Sequence, residues 1–407
     1  MNGVFKIEKI LRTSLLVIML ILMCEGFTII QNSNKYLFIL GFLAAIGLFL
    51  CKEEKVINFG YKNPFVILLS AYLIFDYFVI NYESTLIYVY YLIIWLFVLV
   101  LLLDMGESFF RLLINGVYYF TIFEMVTVLL ELATKHLSLL VLKPLYSNNI
   151  YASIVIIASR GYYVGVVGEK AAAAFWLIIG LSMFLVKHVK KGESISIKTI
   201  IGTALFMLCI ALTAKRTIIV FAIILIASQF LLVNYSKKTI TVFVLIIVAM
   251  AGAYFVYQYV PAVQLMIDRF SSSTEDLSTM NSRTMLWDYA KEMFHARPVF
   301  GWGRGTFHLD SPNNMEGHNV YLQNFAENGI VGGCLWMLTY ASGLITLIYL
   351  YIKTHDELVK ILMFSQGLFL LYSLTENVLF TTSFEGYYIV TFIGLSYALK
   401  KFRTSDI

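Results

Sequence analysis

Basic side chains and histidines cluster at a few points of this 407-residue chain where an apolar run breaks or the composition turns polar. Between Pro261 and Gly329 stand His295, His308 and His318, three of the six histidines, together with Arg283 and Arg304. In Gly317-His318-Asn319 the imidazole comes directly before VYLQNFAEN, a short helix-forming stretch closed by Gly329. The positive end of a helix dipole disfavours an imidazolium there, which leaves a neutral ring able to accept a proton from a hydroxyl group. The plainer reading of a single histidine is a structural one.

Upstream, with Ser282 as N-cap, RTMLWDYAKEMFHAR reads as an amphipathic helix stopped by Pro298, with Arg283, Trp287, Ala290 and Phe294 near one face. Such a helix would lie along a membrane surface, placing Arg283 beside an aromatic ring within reach of a phosphate or a sugar. Alternatively Arg283 meets lipid headgroups or a loop carboxylate, and Trp287 is an interfacial anchor. The segment GWGRG, Gly301 to Gly305, can turn tightly and bring amide groups close to a ligand beside Arg304. It lacks the GxxxxGK pattern of a nucleotide loop and the βαβ setting of a dinucleotide site. Read plainly, it is a tight turn with a solvated arginine. In LTAKRTII, Lys215 and Arg216 interrupt two apolar runs with almost no loop to carry them. Cations so near lipid are costly unless they snorkel to the surface or meet an anion. Arg160, in SRGYYVG, belongs to the other expected outer loop and could join them.

Other chemistries are excluded or unsupported. The histidines of the 261–329 segment have no HExxH-like spacing, and Cys24, Cys51, Cys209 and Cys334 form no CxxC pair, so no metal site or disulfide framework is encoded. The net charge of +5 comes with no basic stripe interleaved with aromatics, which argues against nucleic acid as a partner. Asp310 and Glu316 lie on an irregular stretch whose geometry cannot support a glycosidase-type carboxylate pair from sequence alone.

The elements that must position these groups are set by lipid. With 60% hydrophobic and 14% charged residues, the chain cannot hide its apolar surface from water. Continuous apolar blocks, rather than alternating ones, exclude a transmembrane barrel. The expected fold class is an all-α membrane protein with about 12 transmembrane helices and a large external loop containing short amphipathic helices. The spans are expected at Ile10 to Ile30, Tyr36 to Leu50, Pro64 to Ile80, Thr85 to Leu103, Phe110 to Leu132, Ala171 to Val186, Thr199 to Thr213, Thr217 to Val233, Ile240 to Tyr259, Ile330 to Ile352, Leu358 to Leu374 and Phe384 to Leu399.

Residues 1–260 would carry spans one to nine with an external loop at 133–170, residues 261–329 the external loop that holds the chemistry, and residues 330–407 the last three spans. The first span follows Lys6, Lys9 and Arg12 as a signal sequence would, yet it lacks a small-x-small cleavage site and stays in place. Basic short loops such as KHVKKGESISIK and YSKK belong inside, and the uncharged-to-acidic NYES and TENVLFTTS outside, which puts both termini in the cytoplasm and both long loops outside. Glu25, Asp76 and Glu124 fall within spans as counter-charges or polar contacts. No internal repeat of the kind found in secondary transporters is apparent.

Taken together, RTMLWDYA from Arg283, PVFGWGRGTF from Pro298 and HNVYLQNFAENGIVGG from His318 resemble the signature region of the O-antigen ligase and polymerase superfamily of bacterial membrane glycosyltransferases. The resemblance implies a multi-pass protein of the bacterial cytoplasmic membrane with its active site on the outer face. It implies a donor glycan linked to undecaprenyl diphosphate, membrane lipid as surroundings, no cofactor and no metal. A chain-length regulator and a flippase are the partner proteins it suggests. By similarity, His318, Arg283 and Arg216 are the catalytic residues, although Lys215 stands where the family usually has Ser before the last of these. Arg160, Lys215, Arg304, Trp287 and Asn319 are the substrate-binding candidates. The expected activity is a capsular or O-antigen polysaccharide polymerase, with a ligase acting on a terminal acceptor such as lipid A core as the nearest alternative. A flippase is the rival from another class.

Overall fold

The computed structural model describes residues 7–14, 17–18, 40–41, 43–44, 46–47, 50, 64–75, 107–190, 195–233, 277–378 and 382–403. Among these the chain is helices and turns, with no β-strand. We label the principal helices α1 (Pro64–Ile74), α2 (Glu107–Ala133), α3 (Ser138–Leu142), α4 (Asn148–Ser159), α5 (Lys170–His188), α6 (Ile197–Leu212), α7 (Arg216–Leu232), α8 (Leu277–Ala296), α9 (Thr306–Asp310), α10 (Val320–Thr354), α11 (Glu357–Tyr372) and α12 (Thr382–Arg403).

Of the described helices, α2, α5 and α10 are long and apolar enough to cross a membrane. Helices α6 and α7 are as apolar, but with 16 and 17 residues they reach only about 25 Å, against a hydrocarbon thickness of about 30 Å. The architecture is therefore all-helical and compatible with a membrane protein, while the described helices do not reach the expected count of about 12 spans. The expected spans Thr85 to Leu103 and Ile240 to Tyr259, much of the first two, and Glu25 and Asp76 lie outside the described residues.

Two features of the segments between the expected spans add to what the sequence shows. Helix α8 begins at Leu277, so Ser282 lies inside it rather than capping it. Nothing in LSTMNS breaks a helix: it holds neither Gly nor Pro, and Leu and Met favour helix. The 133–170 segment, expected as a loop, contains α4, a 12-residue apolar helix capped by Ser147, whose hydroxyl accepts from the Ile150 amide at 3.3 Å.

The helices fall into two compact units. One contains α1, the start of α2, and α8 to α12. Its core is an aromatic ladder: Tyr340 of α10 stacks on Trp336 at 4.8 Å and on Tyr388 of α12 at 4.2 Å, while Tyr72 of α1 meets it edge-on at 6.1 Å. Each such pair adds about 0.5–1.5 kcal/mol to the area it buries. The other unit contains the rest of α2 and α3 to α7. Its centre is α5, buried without a break from Ala173 to Met183, as expected of a helix that is apolar on every side.

Helix α10 is two helices joined at Gly329, whose backbone (φ 61°, ψ −163°) is open essentially only to glycine. The amides of Ile330 and Val331 donate to the carbonyls of Pro298 and Val299 at 2.8 and 3.1 Å, so the kink docks the Pro298–Gly301 strand of chain. A Cβ at Gly329 would sit 2.5 Å from the Val299 carbonyl oxygen. Gly329→Ala is therefore expected to destabilise the protein by about 3 kcal/mol or more, read as a lowered unfolding midpoint of the detergent-purified protein. An unchanged midpoint would show that the kink is not held as described.

Candidate functional site

The candidate site in the first unit is built on α8 and on the first part of α10. Leu286, Ala290 and Met293 form the buried stripe of α8 and pack on Phe307 of α9 and Ala326 of α10. At the edge of that stripe come Arg283 and Trp287, both half-buried. Trp287 does more than anchor: its indole N–H donates to the Gly317 carbonyl at 3.0 Å, fixing the residue before His318. The GWGRG segment is held by backbone. The Gly303 amide donates to the Glu327 carbonyl at 2.8 Å, and the Trp302 indole donates to the Met293 carbonyl at 2.8 Å while Arg297 lies 3.9 Å over its ring. Here the tight-turn reading of these glycines holds, and Arg304 is half-buried between Gly303 and Gly305.

His318 is pinned on both sides. Its own backbone is left-handed (φ 48°), a strained conformation for a residue with a Cβ and one that concentrates at functional sites. Before it, the Gly317 amide donates to Gln323 Oε1 at 3.0 Å; after it, the Val320 amide donates to the Ser373 carbonyl at 2.9 Å. Asn319 is the N-cap of α10, its Oδ1 accepting from the Leu322 amide at 3.2 Å, so this oxygen has a structural duty where substrate binding was expected. The tie to Ser373 brings the turn after α11 against the start of α10. That turn carries Glu376.

Glu376 joins the two expected catalytic residues of this unit. Its Oε1 lies 3.6 Å from Arg283 Nη2 and its Oε2 3.4 Å from His318 Nδ1. Its side chain is 12% exposed, against 39% for Arg283 and 32% for His318. The carboxylate is thus the sheltered member, and its field acts on both neighbours with less screening than a surface pair would feel. The loop carboxylate considered for Arg283 exists, and it is shared with the histidine. Beside it, Glu316 Oε2 accepts from Gln323 Nε2 at 2.7 Å and from Asn377 Nδ2 at 3.4 Å, and its Oε1 is 3.7 Å from His308 Nδ1. Against the buried cluster of α8, α9 and α10, burial first, then Asp310 and Glu292, raise the Tyr289 hydroxyl above its ordinary pKa, so it stays protonated.

If Trp287 positions His318 through Gly317, Trp287→Phe should keep the fold and lose the N–H donor. We expect turnover to fall about 10-fold or more, because small misplacements of a reacting group are costly, with little change in KM. Equal turnover in steady-state assays of the two proteins would reduce Trp287 to an anchor.

Arg160, Lys215 and Arg216 belong to the second unit. Helix α6 ends at Leu212, Ala214 turns left-handed (φ 55°), and α7 starts at Arg216 with Lys215 as its N-cap residue, making no side-chain cap. Both cations are half-buried. A cation gains nothing from the positive end of a helix, so helix stability does not explain this placement. Arg160 is the C-cap of α4 and exposed. The residues after it are held in a way no motif announced: Glu131 Oε2 accepts from the Val164 and Gly165 amides at 2.9 Å, and Glu124 Oε2 accepts from the Val166 and Val167 amides at 3.2 Å. Glu124 is a polar contact within an apolar helix, as expected, and Glu131 is a second one with no local signal in the sequence. His136 closes the group, its Nδ1 2.7 Å from Glu131 and its ring stacked on Tyr163 at 4.4 Å.

Residues 201–337 match the family model Wzy_C, described as O-Antigen ligase. No curated protein matches the chain. Arg216, Arg283, Arg304 and His318 all fall inside the matched segment; Arg160 and Glu376 fall outside it. Over that segment, about a third of the chain, the sequence is similar to the O-antigen ligase family, which supports the O-antigen ligase/polymerase superfamily.

Proposed function

We propose that the chain is a polysaccharide polymerase that moves a glycan from undecaprenyl diphosphate onto a lipid-linked repeat unit at the outer face of the bacterial cytoplasmic membrane. The family supports the coarser part of this, an enzyme of the O-antigen ligase and polymerase type acting on lipid-linked polysaccharide. The observation that carries the rest is the Arg283–Glu376–His318 group on the strained turn before α10. Nδ1 of His318 is shielded from solvent and faces the carboxylate, which leaves Nε2 for a substrate. An imidazole with a carboxylate behind it is oriented as a base.

The proposed step forms one bond and breaks one. The acceptor hydroxyl oxygen attacks the anomeric carbon of the donor, and its proton passes to His318 Nε2. The bond from that carbon to the diphosphate oxygen breaks, the electron pair leaves with the polyprenyl diphosphate, and the anomeric configuration inverts. Charge grows on the departing diphosphate, where Arg283 would stabilise it; a guanidinium suits this by its fork of donors. No metal or nucleotide sugar has a place in this scheme. Cytoplasmic termini, an outward-facing site, and a flippase and a chain-length regulator as working partners complete the reading.

The description of the matched family favours a second reading, a ligase that hands finished glycan to a terminal acceptor such as lipid A core. Purified protein given lipid-linked repeat units, already on the side its site faces, separates the possibilities. A polymerase makes a ladder of lengthened chains from them alone; a ligase is silent until the terminal acceptor is added; a flippase lengthens nothing under either condition.

A further inference from the structure

The Glu376 carboxylate holds its two neighbours differently from a committed ion pair. Its contacts to Arg283 and His318, 3.6 and 3.4 Å, are both longer than the roughly 2.7–2.9 Å of a charge-assisted hydrogen bond. The guanidinium meets the carboxylate through Nη2 at 3.6 Å, without the two parallel bonds that make arginine–oxyanion pairs strong. A diphosphate offers more charge and more acceptor oxygens, and it can take the guanidinium fork in the two-pronged way that Glu376 does not. His318 Nδ1 makes no hydrogen bond among the described residues, and Glu376 Oε2 lies within a short shift of it. Movement of the carboxylate off Arg283 and onto that nitrogen would complete a contact that is nearly formed.

We infer that Glu376 is a counter-anion on Arg283 that a polyprenyl diphosphate displaces, and that it then acts as a positioning residue, bound to His318 Nδ1 so that Nε2 faces the acceptor. The inference rests on the diphosphate donor proposed above. It makes arrival of the donor the event that sets the base, because the same carboxylate cannot serve Arg283 and His318 fully at once. It also separates two effects that a merely structural residue would not: removing the charge frees Arg283 for the donor and leaves His318 loosely held.

The test uses the full chain in nanodiscs with farnesyl diphosphate as the binding probe, followed by titration calorimetry, alongside steady-state elongation of lipid-linked repeat units. Glu376→Gln should bind farnesyl diphosphate about 3- to 10-fold more tightly while turnover falls and the KM for donor drops. Adding Arg283→Ala to that variant should erase the gain in affinity. Glu376→Asp, which keeps the charge, should bind as the unaltered protein does and recover part of the turnover. Unchanged or weaker binding by Glu376→Gln, equal tightening in Glu376→Asp, or unaltered turnover would each overturn the inference. Tighter binding in a protein that lengthens no glycan would leave the counter-anion standing and sink the transferase reading alone.

Discussion

His318→Ala is expected to lower chain elongation by roughly 10²–10⁴-fold, the range a positioned general base contributes, while the protein still folds and inserts. The separation of those outcomes follows from how the site is built. The turn before α10 is held by backbone and by its neighbours: the Trp287 indole on the Gly317 carbonyl, the Gly317 amide on Gln323, the Val320 amide on Ser373, and Asn319 as the cap. None of these uses the imidazole. The left-handed backbone at His318 favours histidine over alanine only modestly, so the substitution adds little strain. Donor binding should survive it, because the base acts on the acceptor. Polymer of normal length from a stably produced His318→Ala protein would remove the role assigned to the ring.

Arg283→Ala should act on the other half of the reaction, lowering kcat/KM for the lipid-linked donor by about 10²–10³-fold, as loss of one preorganised oxyanion partner does elsewhere. It should also remove the Arg283 contact of Glu376 while its contact with His318 stays. Arg283→Lys restores a charge without the two-pronged geometry, and we expect it to recover only part of the loss. Kinetics with purified donor decide the matter: unchanged constants for Arg283→Ala would make the residue a structural partner of Glu376 and nothing more.

What could be seen beforehand depended on whether the signal was local. The helices α2, α5, α6 and α7 are legible as apolar runs, and the stop at Pro298 and the break at Gly329 as glycine and proline chemistry, because each is decided within a few residues. Helix α8 was placed to begin too late because Ser282 looks like a cap, yet nothing in the preceding residues stops a helix. The groups that matter most for the site are non-local. Glu376 follows His318 at a distance along the chain and is a single acid in a short turn; only the packing of the α11 end against the α10 start gives it a purpose. Glu131 and Glu124 likewise look like stray charges in an apolar helix until the 164–167 amides are seen to converge on them. Asn319, a substrate-binding candidate, also has a capping duty, since its Oδ1 accepts from the Leu322 amide at the start of α10.

The most direct measurement is the stoichiometry of bond cleavage in the purified, reconstituted protein, using donor labelled in both its polyprenyl diphosphate and its glycan. The account requires one free polyprenyl diphosphate for each glycosidic linkage formed, with both signals falling together in His318→Ala. Linkages without release of the diphosphate lipid, or release that continues undiminished in His318→Ala, would contradict it.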